Sequence, residues 1–235
     1  MSWLAGVDGC PKGWFRICRE TRSGRLRFEV FERAESLLEA PPKPRIVGVD
    51  IPIGLPESGP RACDRAARSL LGARRSSVFP APIRPALGAR SRAEADRVGR
   101  QVDGRGVSAQ AFNLFAKIAA VDELLAASVA ARRALVEVHP ELSFRAWNDD
   151  QPMAFAKKHR QGRAERLELA EAWLGPSLIE RARGDVRKRD LADDDILDAV
   201  AVLWTAHRIA AGRAVTLPAE PAPLDAGGRP MRIVY

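Results

Sequence analysis

The chain has 235 residues, 46% of them hydrophobic and 29% charged, with a formal net charge of +8 and a pI near 10.1. That composition gives enough apolar side chains for a folded core and excludes an intrinsically disordered chain. No apolar run approaches the ~20 residues of a bilayer crossing, and the opening Met-Ser-Trp-Leu-Ala-Gly-Val-Asp-Gly carries no secretory-signal pattern, so a cytoplasmic protein without a membrane segment is expected. Cys10, Cys18 and Cys63 are too few and too irregularly spaced for a disulfide framework or a CxxC zinc site.

The first stretch reads as strands. Trp3–Asp8 is a short apolar run ending in a carboxylate. Trp14–Glu20 and Arg25–Glu32 flank the turn Thr21-Arg22-Ser23-Gly24, and Leu26, Phe28 and Val30 alternate with charged residues as in a half-buried antiparallel strand. A short helix is expected over Ala34–Ala40, stopped by Pro41-Pro42. Arg45–Ile51 is nearly continuously apolar and β-branched, the pattern of a strand buried on both faces. Residues 52–107 are rich in Pro, Gly, Ser and Arg and, apart from a helix at Arg61–Leu71, lack periodicity; they read as an excursion without apolar residues for a core of their own.

Ser108 is placed to cap a long helix running to about Arg133, with Phe112, Phe115, Ile118, Ala119 and Leu125 near one face. A strand follows at Ala134–His139, then helices at Arg163–Leu174 and Ser177–Arg183, separated by Gly175-Pro176. The last helix spans Asp194–Ala211, and the tail 215–235 is loop-like with an edge strand at Met231–Tyr235. Strands and helices sharing one core predict an α/β or α+β chain folded as a single domain over 1–235, with an insertion at about 57–107.

The positive charge is concentrated. Residues 61–105 hold eleven arginines against Asp64, Glu94, Asp96 and Asp103, a local excess of +7. A band of that kind suits a polyanion, although the chain is rich in Arg and Ala and poor in Lys throughout, and compositional bias accounts for the same numbers.

Four acids occur where the local pattern asks for apolar residues: Asp8 after Leu4-Ala5-Gly6-Val7, Asp50 after Ile46-Val47-Gly48-Val49, Glu137 within Leu135–Val138, and Asp198 inside the apolar helix Ile196–Trp204. A buried, unpaired carboxylate is costly. Two carboxylates at ~4 Å repel by about 4 kcal/mol at an effective dielectric of about 20, so converging acids need a proton, a basic side chain or a divalent cation. Mg²⁺ or Mn²⁺ suits oxygen ligands, and two such ions can activate a water and stabilise the leaving oxygen in phosphodiester cleavage. Asp195 and Asp198, at i and i+3, share one helix face. Each acid also has a structural alternative: Asp8 as a turn former, Asp50 in an arginine pair, Glu137 on an exposed edge, and Asp193, Asp194 and Asp195 at a helix N-terminus. His139, His159 and His207 read as a strand-end, a surface and a structural residue. No P-loop, HExxH or Ser/His/Asp arrangement is present.

Gly6-Val7-Asp8-Gly9-Cys10 with Gly13-Trp14, and Gly48-Val49-Asp50-Ile51-Pro52-Ile53-Gly54-Leu55-Pro56, resemble the family catalogued as domain of unknown function 429. Further similar segments are Arg74–Phe79, Ser108–Phe112, Glu137–Glu141, Lys157-Lys158 with Gly162-Arg163, Arg166-Leu167 and Asp194–Ala199. Members are described as predicted ribonuclease-H-like nucleases. The resemblance implies an α/β ribonuclease-H-like fold with a mixed central sheet of about five strands flanked by helices and the Arg/Pro-rich insertion. It places Asp8 on the first strand, Asp50 on the fourth, Asp195 and Asp198 on the final helix, and Glu137 on the fifth strand, completing or orienting the site.

The expected function is therefore a metal-dependent phosphodiesterase acting on nucleic acid. Asp8, Asp50, Asp195 and Asp198 would hold Mg²⁺ or Mn²⁺, and Arg74, Arg75, Lys157 and Lys158 would contact backbone phosphates. A non-catalytic nucleic-acid- or protein-binding module with the same fold is one alternative. Another is an actin-like phosphate-binding or ATP-hydrolysing domain, suggested by the Asp8-Gly9-Cys10 turn.

Overall fold

The computed structural model describes residues 2–219 and 221–235. In chain order the strands are β1 (Trp3–Cys10), β2 (Gly13–Glu20), β3 (Leu26–Phe31), β4 (Ile46–Val49), β5 (Leu135–Glu137), β6 (Thr216–Leu217) and β7 (Ile233–Val234). The helices are α1 (Ser36–Glu39), α2 (Ala62–Leu71), α3 (Arg84–Leu87), α4 (Arg92–Asp103), α5 (Ala109–Asn113), α6 (Phe115–Ala127), α7 (Val129–Ala134), α8 (Pro140–Trp147), α9 (Arg160–Leu174), α10 (Leu178–Arg183) and α11 (Asp193–Ala210). By contacts the chain falls into two units: Met1–Asp50, Val129–Val215 and Val234–Tyr235 make the first, Ile51–Ser128 and Thr216–Ile233 the second.

The first unit is built on a mixed five-stranded sheet in the order β3-β2-β1-β4-β5. β1, β2 and β3 are antiparallel neighbours, whereas β4 and β5 run parallel to β1. The alternation of Leu26, Phe28 and Val30 does place β3 at the antiparallel edge, and the continuous apolar run of β4 puts it between β1 and β5, two parallel neighbours. Helix α11 packs on β1, β4 and β2. Its Ile196, Ala199, Val200 and Leu203 join Leu4, Phe15 and Ile17 of the sheet in one core.

That packing depends on two glycines. Gly6 of β1 and Gly48 of β4 are register partners. A Cβ on Gly6 would lie 2.1 Å from the Ala199 carbonyl oxygen and 2.3 Å from the Leu203 nitrogen, and one on Gly48 would lie 2.6 Å from Val202 Cγ1. The backbone of α11 therefore rests on a sheet surface that any side chain at position 6 would lift.

The second unit is mostly helical. The segment 57–107, expected as an excursion without a core, lies within it and recruits Phe115 from α6 to pack with Ile83, Ala86 and Ala95. Several of its arginines hold it together. Arg61 and Asp64 form a buried pair at 2.6 Å. Arg84 bonds Asp122 at 3.1 Å and Asp225 at 2.7 Å, and Arg229 reaches Asp122 at 2.5 Å.

The expected long helix from Ser108 divides into α5, α6 and α7. Ser108 does cap its start, its hydroxyl accepting from the Ala111 N–H at 3.1 Å, but Ser128 is extended (φ −125°, ψ 119°) where the chain leaves the second unit. Helix α4 is not evident from periodicity because only Ala95 and Val98 mark its packed apolar side, Val102 being exposed. Its ends are nonetheless written in the sequence: the Ser91 hydroxyl accepts from the Glu94 N–H at 3.2 Å, and Gly104 closes it in the left-handed conformation (φ 68°). Among the described residues no helix is long and apolar enough to cross a membrane, and no disulfide joins the three buried cysteines.

Substituting Gly6→Ala should cost about 3 kcal/mol or more of unfolding free energy, the upper range for overpacking, because the obstacle is helix backbone rather than a movable side chain. Urea unfolding of the two proteins measures it. A loss under about 1 kcal/mol would show that α11 does not need that glycine.

Candidate functional site

Side chains alternate across a strand, so Asp8 points to the same face as Gly6, and Asp50, one residue past β4, to the same face as Gly48. That is the face covered by α11. The parallel register pairs Val7 with Val49, and the Asp50 N–H donates to the Val7 carbonyl at 3.1 Å, so the two carboxylates sit side by side. Asp8 Oδ1 accepts from the Gly9 N–H at 2.7 Å.

Helix α11 brings the other acids. Asp193, Asp194 and Asp195 form its first turn, and Asp198 follows one turn later with only 3% of its surface exposed. Asp195 has a structural duty, its Oδ2 accepting from the Ala192 N–H at 3.0 Å as a helix cap. Asp193 is bound to Arg163 at 2.9 Å, to Lys188 at 3.2 Å and to Arg183, which fixes the start of the helix.

Lys157 completes the group. Its ammonium donates to Asp198 Oδ2 at 2.5 Å, whereas Asp198 Oδ1 is buried with no hydrogen-bond partner. Lys157 was expected to meet phosphate; here its charge is engaged within the acidic cluster, facing Asp8 and Asp50 as well as Asp198. The attraction of Asp198, above all, holds the ammonium proton well beyond the usual lysine range.

The acids keep some solvent access at Asp8, Asp50 and Asp195, yet their protons are bound abnormally tightly. Burial pushes Asp8 well above the ordinary carboxylate range, and Asp50, Asp198 and Asp195 add to it. Asp50 is raised to about 7, first by burial and then by Asp198, with Lys157 opposing. Asp195 rises to about 6, again chiefly by burial, with its cap bond to Ala192 working the other way. These carboxylates are thus coupled through space, not clasped one by one by arginines.

The segment carrying Lys157 is held by a buried ion pair. Arg166 of α9 meets both oxygens of Glu141 of α8, at 2.7 and 2.9 Å, with both side chains almost wholly buried. The same guanidinium donates to the carbonyls of Gly162 at 2.6 Å and Phe155 at 3.2 Å. Gly162 lets the segment pass close, since a Cβ there would lie 2.2 Å from the Ala156 carbonyl oxygen. Glu141, Gly162 and Arg166 all lie in segments noted for their family resemblance; their part in presenting Lys157 could not be read from spacing, because the bonds link α8 to α9 across the fold.

Glu137 does not join the site. It is in register with Val49, and so lies on the opposite face of the sheet from Asp50. The residue of that segment that Asp50 senses is Glu141. Lys158 is exposed. Arg74 and Arg75 lie in the 3₁₀ turn Gly72–Ser77 of the second unit, Arg75 exposed and Arg74 half-buried. Of the other arginines in 61–105, Arg90, Arg92, Arg97 and Arg105 are exposed, whereas Arg61, Arg68 and Arg84 bond within the unit. His207 packs edge-on against Trp173 at 5.2 Å, and burial lowers it to about 4, so it is neutral and structural at pH 7.

Asp8, Asp50, Asp195 and Asp198 offer oxygen donors only, the set preferred by Mg²⁺ or Mn²⁺, and Asp198 Oδ1 is a buried acceptor awaiting a partner. Among the described residues no three His, Cys, Asp or Glu side chains stand in a metal-ligating arrangement, and it is Lys157 that balances part of the charge. The donor chemistry therefore fits a hard cation.

Residues 6–223 match the family described as "Protein of unknown function (DUF429)". No curated protein and no solved structure matches the chain.

Because Asp50 binds its proton more tightly folded (about 7) than unfolded (~3.9), ionising it costs stability that is intact below pH ~4 and lost as pH rises through 7. Asp50→Asn removes that cost. In metal-free buffer the variant should melt higher than wild type at pH 8, by at most about 4 kcal/mol, with the advantage shrinking toward pH 4. A variant less stable at pH 8 would mean that Asp50 is held by an attractive partner.

Proposed function

The chain belongs to the family described as "Protein of unknown function (DUF429)", and we propose that it is a metal-dependent phosphodiesterase acting on nucleic acid. The observation that carries this reading is the pairing of Asp8 and Asp50 at adjacent parallel strand ends, under the acidic first turns of α11. A mixed five-stranded sheet with acids on its first and fourth strands and its last helix is the layout that the ribonuclease-H-like resemblance implies, and it supports that fold.

Asp8, Asp50, Asp195 and Asp198 would hold Mg²⁺ or Mn²⁺. The bound cation supplies Lewis-acid stabilisation of phosphoryl charge and makes water a better nucleophile at neutral pH. The side chains do the rest. The strand ends fix Asp8 and Asp50 without long flexible stems, so little ordering remains for the substrate to impose. Lys157 holds Asp198 in place. Exposed Arg75, Arg90, Arg92, Arg97, Arg105 and Lys158 are suited to backbone phosphates, which gives affinity without sequence information and a steep dependence on salt.

The test is cleavage of single- and double-stranded DNA and RNA in Mn²⁺ or Mg²⁺, comparing wild type with Asp8→Asn. Loss of a cation-holding carboxylate should lower the rate by roughly a hundredfold or more, with nucleic-acid binding largely kept. Binding unaccompanied by cleavage in wild type would instead identify a binding module, and turnover of ATP without cleavage a phosphate-handling domain of the actin-like kind.

A further inference from the structure

We propose that Lys157 fills one of the two cation positions of the carboxylate cluster, so that the site takes a single divalent ion. This rests on the reading that the cluster binds a divalent cation, but not on the cleavage of nucleic acid. Two ions ~3.5–4 Å apart are close enough for one carboxylate to offer an oxygen to each. Asp198 is the most deeply buried acid of the cluster, and its two oxygens are already unequal. Oδ2 lies 2.5 Å from the Lys157 ammonium, while Oδ1 has no partner. An ion at its ~2.0–2.1 Å ligand distance along the Oδ2 lone pair that Lys157 takes would overlap that ammonium. Oδ1 is the oxygen without a partner, and it is the one open to an ion.

The ammonium is also held where it is. Lys157 follows Phe155 and Ala156, and the Phe155 carbonyl is bonded to Arg166, itself fixed by Glu141. Gly162 lets Ala156 lie against α9. The backbone that carries Lys157 is thereby anchored through a buried ion pair, and the ammonium reaches Asp198 from a fixed starting point. Lys157 is a positioning and charge-balancing residue, set against the carboxylates rather than against solvent phosphate.

Counting bound Mn²⁺ decides the matter, by electron paramagnetic resonance of the free ion in titrations without nucleic acid. Wild type should bind one ion per chain. Lys157→Met, an unbranched side chain one atom shorter and without charge, should bind two; Lys157→Arg should remain at one. Circular dichroism checks that each variant is folded, and the wild-type count stands even if Lys157→Met is not. Two ions on wild type, or a folded Lys157→Met that still binds one, would overturn the proposal. Absence of binding to wild type would remove both this inference and the metal-dependent reading. One ion without any cleavage would sustain the inference and remove only the nuclease.

Discussion

The close seat of α11 on the central strands governs everything else in the first unit. Gly6 and Gly48 remove the side chains that would hold the helix away, and the same alternation that turns these glycines toward α11 turns Asp8 and Asp50 toward its first turns. A buried apolar contact and an acidic cluster are thus two ends of one interface. The apolar end, with Ile196, Ala199, Val200 and Leu203 against Leu4 and Ile17, supplies the burial that offsets the repulsion at the other.

Lys157 is the counterpart of that repulsion. It comes from a connecting segment rather than from the sheet, and its placement needs a second buried interaction, Arg166 with Glu141. An ion pair of this kind adds little net stability over an apolar contact, but breaking one partner leaves an uncompensated charge inside the protein. Its value here is positional: it ties α8, α9 and the Phe155 backbone into one frame from which a single ammonium reaches Asp198.

Much of this was legible in the sequence. Carboxylates that close apolar runs point to Asp8 and Asp50, and an acid in an otherwise apolar helix points to Asp198, because burying a charge is expensive enough to require a reason. Glu137 gave the same signal and belongs to the other face, since a side-chain period of two separates residues by the parity of a register that one strand alone cannot reveal. Lys157 is legible as a basic residue suited to phosphate but not as the partner of Asp198, because a lysine in a polar loop carries no local mark of its tertiary partner. The arginines of 61–105 show the same gap: Arg61, Arg68 and Arg84 are internal bonds of the second unit, while Arg75, Arg92 and Arg97 remain exposed, and composition does not distinguish them.

The two neighbouring strands carry the same tripeptide, Gly-Val-Asp, at 6–8 and 48–50, aligned glycine to glycine. Sliding β4 by one residue would bring Val47 or Val49 beneath the helix in place of Gly48 and turn Asp50 to the far side. The last helix could not then dock, because the space it needs would be filled. Assembly of the core therefore proofreads the alignment of the acids: a chain that buries α11 has, by that act, brought Asp8 and Asp50 together.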